Sequence, residues 1–416
     1  MLRIFLDYLN KYGFLITAKK LCGQLSPRAM ADFYLLVKGI TSRDCAYRGP
    51  DWVQIDLTNN CNNNCIGCWC NSPLLREKRM DAQTKDKALP YPVVKDFIDE
   101  IYAMGTRRII FSGGGEPLMH PQALDILRYT KKKRMVCQLH TNLTLVNETI
   151  IKELVGMRLD YLTVSLWAGS ARTYKLTHPN KDEKTFYRIK ANLELISSLK
   201  TKRNAPYIRL HNVITSLNYA EINEMLSFAQ AVRADAVSFA PIDAISGYTD
   251  SLLLTAEQRE KLINSAESLK NNNATMLFDF DEFIRRISCA AASRGDYDKD
   301  IINSIPCYAG WLFARLNADG SVNPCLKGHR IPVGSIYRQR FSQIWNSEKQ
   351  KEFRRKTLRF KKDGAYFGFI GNEPNAAVGC WRGCDDFGMN VRAHRKISLV
   401  LPLLNLIGKT RSGLSE

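Results

Sequence analysis

Between residues 52 and 241 short apolar runs alternate with longer stretches in which apolar residues recur every three or four positions. The runs are Trp52–Leu57, 107–112, Met135–His140, Tyr161–Leu166, Tyr207–Ile214 and 236–241. Their length and β-branched content predict strands. The stretches at Tyr91–Met104, 121–133, 146–156, 182–199 and 219–232 have helical spacing. Strand and helix alternating through short links predict a parallel sheet with helices outside. Six such strands suit an α/β fold with an incomplete barrel, whose ligands bind at the carboxyl ends of the strands.

The flanks read differently. Residues 1–50 predict a helical extension, with Ser26-Pro27 starting one helix. The polar segment 74–90 reads as a loop or lid, and 255–270 as a helix within a linker spanning 251–305. In Leu312–Asn317 followed by Ala318–Cys325 an Asp319-Gly320 turn between two short apolar runs predicts a hairpin. Residues 306–390 then form a small cysteine-rich α+β domain, and 391–416 a basic, apolar-striped tail.

The strand at 52–57 runs into Cys61-Asn62-Asn63-Asn64-Cys65-Ile66-Gly67-Cys68. Spacings of three and then two residues let three thiolates meet on one small inorganic centre. Soft thiolates select zinc, copper(I) or iron–sulfur clusters. A structural zinc site wants four closed ligands, and Cys70 stands too near Cys68 to supply the fourth easily. A [4Fe–4S] cluster with one free iron fits better. Asn59, Asn60, Asn62, Asn63 and Asn64 suit a loop, because short amides satisfy nearby backbone groups.

About fifty residues on, the strand at 107–112 ends in Gly113-Gly114-Gly115-Glu116-Pro117. Consecutive glycines let a ligand approach the bare backbone. The spacing here is not G-x-G-x-x-G and no Gly-Lys-Ser/Thr follows it, so phosphate-loop readings fail. Together the two motifs resemble the radical S-adenosylmethionine (SAM) enzyme family, with its C-x3-C-x2-C loop and Gly-Gly-Glu-Pro segment. The resemblance implies a TIM-like partial (β/α)6 barrel over 51–250. It implies that Cys61, Cys65 and Cys68 hold a [4Fe–4S] cluster, and that Gly114, Gly115 and Glu116 hold the methionine amino group. It also implies that Ser165 meets the SAM ribose and that Asn212 and Asn142 are further SAM contacts. The family often has an aromatic just before the third cysteine. Here that place is Gly67, and Trp69 follows the cysteine instead.

Cys307, Cys325, Cys380 and Cys384 make a second set of thiols. It resembles the auxiliary iron–sulfur (SPASM/twitch-type) domain of some family members, which implies a second [4Fe–4S] cluster. A tetrahedral zinc site and unligated thiols are the rival readings. Cys22, Cys45, Cys70, Cys137 and Cys289 read as small buried apolar residues.

The 416 residues carry a net charge of +19. The excess lies at the chain ends and between 349 and 362. It favours an acidic electron donor such as a flavodoxin or ferredoxin. Peripheral contact with anionic lipid ranks second, and nucleic acid third, since no binding motif is present. The N-terminus does not read as a signal peptide, and the thiol spacings suit a reducing cytoplasm. The expected activity is reductive cleavage of SAM to a 5′-deoxyadenosyl radical that takes hydrogen from an unidentified substrate, small or anionic. A four-thiol auxiliary site favours an oxidoreductase that dehydrogenates its substrate. The alternatives are a peptide- or RNA-modifying radical enzyme and a non-enzymatic protein with two zinc sites. No residue is singled out as an acid or base. His140, His178, His211 and His329 qualify only because histidine titrates near neutrality.

Overall fold

The computed structural model describes residues 27–200, 205–273, 275–371 and 379–398. Its centre is one ten-stranded sheet. Six strands follow the predicted runs: β1 (Trp52–Asp56), β2 (Arg108–Ser112), β3 (Val136–Thr141), β4 (Tyr161–Ser165), β5 (Tyr207–Ile214) and β6 (Ala236–Pro241). They pair in sequence order and all in parallel. Both faces are covered, so β1 buries Val53 and Ile55 on one side and Gln54 and Asp56 on the other.

The outer helices are Tyr91–Ala103, Ala123–Lys132, Glu148–Gly156, Glu183–Leu199 and Ile222–Ala231. Side-chain caps set several of their starts: Asn147 accepts from Ile150 N, and Asp182 from Thr185 N. A short helix at Ala171–Thr177, capped by Ser170, escaped the sequence reading. Its seven residues are too few to display a helical period.

The flanking segments join the barrel instead of merely adjoining it. The expected linker contributes β7 (Leu277–Phe278), parallel to β6, between helices Ala256–Asn273 and Phe280–Ser288. Phe280 and Phe283 pack on Phe239 of β6. On the opposite edge β8 (Phe313–Leu316) lies parallel to β1. It forms the predicted hairpin with β9 (Ser321–Asn323), to which β10 (Gly334–Ser335) is added. The hairpin turn closes with Gly320 N donating to Asn317 O, and Gly320 adopts φ 81°. The buried pair Asp56–Arg315 clamps β8 to β1, with Arg315 Nη2 2.6 Å from Asp56 Oδ2. Of the expected N-terminal helices, Pro27–Thr41 is described. It packs Leu36 and Ile40 on Tyr308, Trp311 and Leu312 of the C-terminal domain.

One further expectation is revised. Segment 74–90 holds a 3-10 helix at Pro73–Lys78 and a short helix at Ala82–Lys85. The basic run near 350 is only partly solvated. On helix Glu348–Thr357, Arg354 is fully buried and its guanidinium donates to the carbonyls of Gly310, Asp44 and Trp345. No helix among the described residues is long and apolar enough to cross a membrane. The apolar-striped ends on which lipid contact was expected, 1–26 and 399–416, and Cys22 lie outside the described residues.

Candidate functional site: two cysteine centres sharing one wall

A cavity of about 1240 Å³ fills the barrel at the carboxyl ends of the strands. Cys61, Cys65 and Cys68 line it beside Gly114, Gly115, Glu116, Asn142 and Ser165. The strand ends hold the cysteine loop. Asn62 donates to Thr144 Oγ1 at 2.7 Å and accepts from Asn142 Nδ2 at 2.9 Å. Asn180 Nδ2 donates to Asn62 O, and Asn64 N donates to Asn180 Oδ1, each at 2.9 Å. Asn62 and Asn59, whose Nδ2 donates to Thr84 O, thus reach neighbouring segments instead of local backbone.

The glycine turn presses directly on this loop. A Cβ at Gly115 would lie 2.1 Å from Asn60 O, and one at Gly114 would lie 2.4 Å from Asn59 Oδ1. Gly113 has φ 130° and abuts Asp56. Side chains here would force the two loops apart. Glu116 is buried, which raises its pKa, against hydrogen bonds from Asn142 N, Thr141 Oγ1 and Leu118 N that lower it. Its Oε2 takes a single donor, Asn142 N at 2.7 Å, and so has room to accept a second. Asn142 is otherwise spent, with its Oδ1 accepting from Thr144. Ser165 ends β4 opposite His211.

Asn212 is not brought to the cavity. Along β5 the burial alternates, and Arg209, His211 and Val213 line the lumen while Asn212 is wholly buried. A period of two sends its side chain to the opposite face. The same alternation could have picked out Arg209, which the sequence reading missed.

The aromatic missing at position 67 has a steric reason. A Cβ on Gly67 would lie 2.4 Å from Ile242 Cδ1 and 3.3 Å from the Trp167 ring. Trp167, at φ 60°, lines the cavity there. Trp69 also lines it, 5.5 Å from the His329 ring.

Cys70 is buried like Cys137, as expected, whereas Cys45 and Cys289 are half-buried. Cys70 is more than filler. Its Sγ lies 3.6 Å from Cys68 Sγ and 3.2 Å from Gly114 O, bridging the cysteine loop to the glycine turn. That contact, with the Asn71 amide 3.3 Å from Cys68 Sγ, lowers the Cys68 pKa, while burial pushes Cys61 up to about 11.

The hairpin and the C-terminal helix assemble the second centre. Cys307, Cys325, Cys380 and Cys384 all line one smaller cavity. Burial raises all four thiols, Cys380 to about 12. Thiols held protonated ionise when metal replaces the protons. Lys362, buried beside them, is lowered by burial and raised by the thiols, and its Nζ donates to the carbonyls of Ile305, Arg359 and Phe360. Asn390 Nδ2 donates to Cys307 Sγ at 3.4 Å.

Neither set, among the described residues, is gathered closely enough to hold a single metal ion. The donor chemistry at both places is that of an iron–sulfur cluster, with sulfur ligands and amide donors aimed at sulfur. The glycine cradle and the spare lone pair of Glu116 suit an amino-acid ligand beside the first. Leu326, Lys327, Cys384, Asp385 and Phe387 line both cavities, so the two centres share a wall. Across it Lys327 pairs with Asp243 at 2.8 Å, and Arg286 with Asp298 at 3.0 Å.

Comparisons with known proteins agree with this geometry. The radical SAM superfamily model matches residues 55–229, and an iron–sulfur cluster-binding domain model (SPASM) matches 307–365. Together they cover more than half the chain. The chain is 20% identical over 328 residues to the tungsten-containing aldehyde ferredoxin oxidoreductase cofactor-modifying protein of Pyrococcus furiosus, spanning 73% of this chain and 83% of the relative. It is 26% identical to the AdoMet-dependent heme synthase of Methanosarcina barkeri, spanning 72% of this chain and 82% of that one. Among solved structures, SuiB of Streptococcus suis bound to precursor peptide SuiA superposes with a TM-score of 0.59 at 14% identity, over 84% of this chain and 79% of SuiB. The chain belongs to the radical SAM superfamily, an enzyme that binds SAM and a [4Fe–4S] cluster in its barrel and carries a C-terminal SPASM domain for an auxiliary iron–sulfur cluster.

Proposed function

We propose that this enzyme oxidises an organic substrate held in the barrel lumen, removing a pair of hydrogens. The observation that carries this reading is the shared wall: Leu326, Lys327, Cys384, Asp385 and Phe387 face both the lumen and the four-cysteine cavity. Bound between Cys61, Cys65, Cys68 and the glycine cradle, the cluster and SAM supply the hydrogen-abstracting radical, and the auxiliary cluster supplies an electron acceptor. The chain's own residues orient and enclose. Gly114, Gly115 and Glu116 receive the amino acid end of SAM, and Ser165 meets its ribose. Cys307, Cys325, Cys380 and Cys384 hold the auxiliary centre. The carbonyl-bound ammonium of Lys362 offsets negative charge on those sulfurs. An acidic donor protein supplies the electrons, steered by exposed Lys349, Arg355, Arg359 and Lys361.

The test is mass spectrometry of anaerobic reactions supplied with SAM and a reductant. Release of 5′-deoxyadenosine should rise when the right substrate pool is added, and the product should lack a hydrogen pair. Consumed substrate at unchanged mass, with SAM regenerated, would replace oxidation by isomerisation.

A second reading is modification of a peptide. The fold neighbour SuiB binds a precursor peptide. Screening peptide and small-molecule pools side by side separates the two. RNA modification ranks last, and salt-sensitive RNA binding would revive it.

A further inference from the structure

The cations on the lumen wall divide into two kinds. Arg315 is paired with Asp56, Arg286 with Asp298, and Lys327 with Asp243. Arg209 of β5 also lines the lumen but makes no ion pair among the described residues. Its Nη2 donates to Thr163 Oγ1 at 3.1 Å, and its guanidinium lies 4.6 Å from the Phe278 ring centroid. Its Nε is buried without a hydrogen-bond partner. The carboxylate whose field it feels, Asp279, forms no ion pair with it. A half-buried cation that faces no paired carboxylate carries a desolvation cost, which an anionic ligand would relieve.

The groups beside it on β3 to β6 are neutral hydrogen-bonding ones. His211 Nδ1 lies 3.0 Å from Ser238 Oγ, and His140 Nε2 lies 2.7 Å from Gln138 Nε2. Burial first, and the Arg209 charge second, lowers His140 to about 3 and His211 to about 4, so neither ring competes as a cation at neutral pH.

We infer that Arg209 is the anchor for an anionic group of the substrate, a carboxylate or a phosphate, seated in the lumen among Thr163, His140 and His211. This rests on the reading that the lumen is the substrate chamber. A guanidinium offers a two-pronged fork that matches either oxyanion, and Arg209 still has most of its donors to give. The cost of leaving it uncompensated falls on the substrate-free enzyme. That cost makes the assignment testable without knowing the substrate.

The experiment compares melting of the anaerobically reconstituted holoenzyme in wild-type, Arg209→Met and Arg209→Lys forms. Each is measured with inorganic phosphate or malonate against chloride at equal ionic strength. Arg209→Met should melt higher than wild type in chloride, because a neutral side chain of similar volume removes the stranded charge. Phosphate, malonate or both should raise the wild-type Tm and leave that of Arg209→Met unmoved, with Arg209→Lys intermediate. Which probe acts distinguishes a phosphate from a carboxylate. A lower Tm for Arg209→Met in chloride would make Arg209 a structural brace between Thr163 and Phe278, and equal anion shifts in all three forms would be a general salt effect. Either result overturns the inference. Release of 5′-deoxyadenosine by the wild-type holoenzyme is scored separately. Its absence would overturn the radical function and leave the anion result readable.

Discussion

The two cysteine centres differ in how they are made. Cys61, Cys65 and Cys68 stand within eight consecutive residues, on one loop tied to the ends of several strands, and open onto a large lumen. Cys307, Cys325, Cys380 and Cys384 come from distant segments and close around a smaller cavity. An open set of three leaves a coordination position for another molecule, and a closed set of four does not. On the proposed reading the first centre reacts, and the second exchanges electrons or holds shape. The wall shared through Cys384 and Lys327 places the lumen beside the closed set.

Breaking one centre at a time gives the largest expected effects. Cys65→Ala should abolish SAM cleavage and lower the iron content of reconstituted protein from about eight to about four per chain, read by iron analysis and 5′-deoxyadenosine chromatography. Cys325→Ala should lose iron to a similar extent yet still cleave SAM without forming product. If both variants behaved alike, the division of labour between the centres would fail.

The clamp joining the two regions comes next. Asp56→Asn strands Arg315 at a buried site and should cost about 3 kcal/mol, measured by urea unfolding of the holoenzyme. Replacing Asp56 and Arg315 together by apolar residues should recover much of that loss.

The smallest effect concerns the support of the open loop. His178 is fully buried, stacked 4.2 Å from the Tyr174 ring, beside Thr177, whose carbonyl accepts from Ile66 N of the cysteine loop. Burial lowers its pKa from 6.5 to about 4. The native ring is therefore neutral while the unfolded chain takes up a proton near 6.5. Its contribution is full above that value and is lost as pH falls from 6.5 toward 4, amounting to about 2 kcal/mol by roughly pH 5. Urea midpoints at about pH 7.5 and 5 should show this slope in wild type and a shallower one in His178→Gln.

Much of the barrel was legible because each parallel strand is a compact apolar run between helices of ordinary length. Strands β7 and β10 were not, since two residues carry no period. Docking of β8 on β1 was also hidden. Nothing in Phe313–Leu316 announces Asp56 as the partner of Arg315, because an ion pair between residues so far apart exists only after folding. At the open centre the ligand candidates could be named from spacing. The reach of Asn62 to Thr144, the bridge made by Cys70 and the misplacement of Asn212 required the fold.

The sequence by itself determined the strand–helix alternation, the cysteine loop and the glycine turn, because each depends on residues close along the chain. Only the tertiary structure decided which face of β5 looks inward, which buried cations find carboxylates, and that four remote thiols share a wall with the lumen. Those outcomes depend on packing between separate elements of the fold, up to 259 residues apart for Asp56 and Arg315, and such contacts leave no local pattern to read.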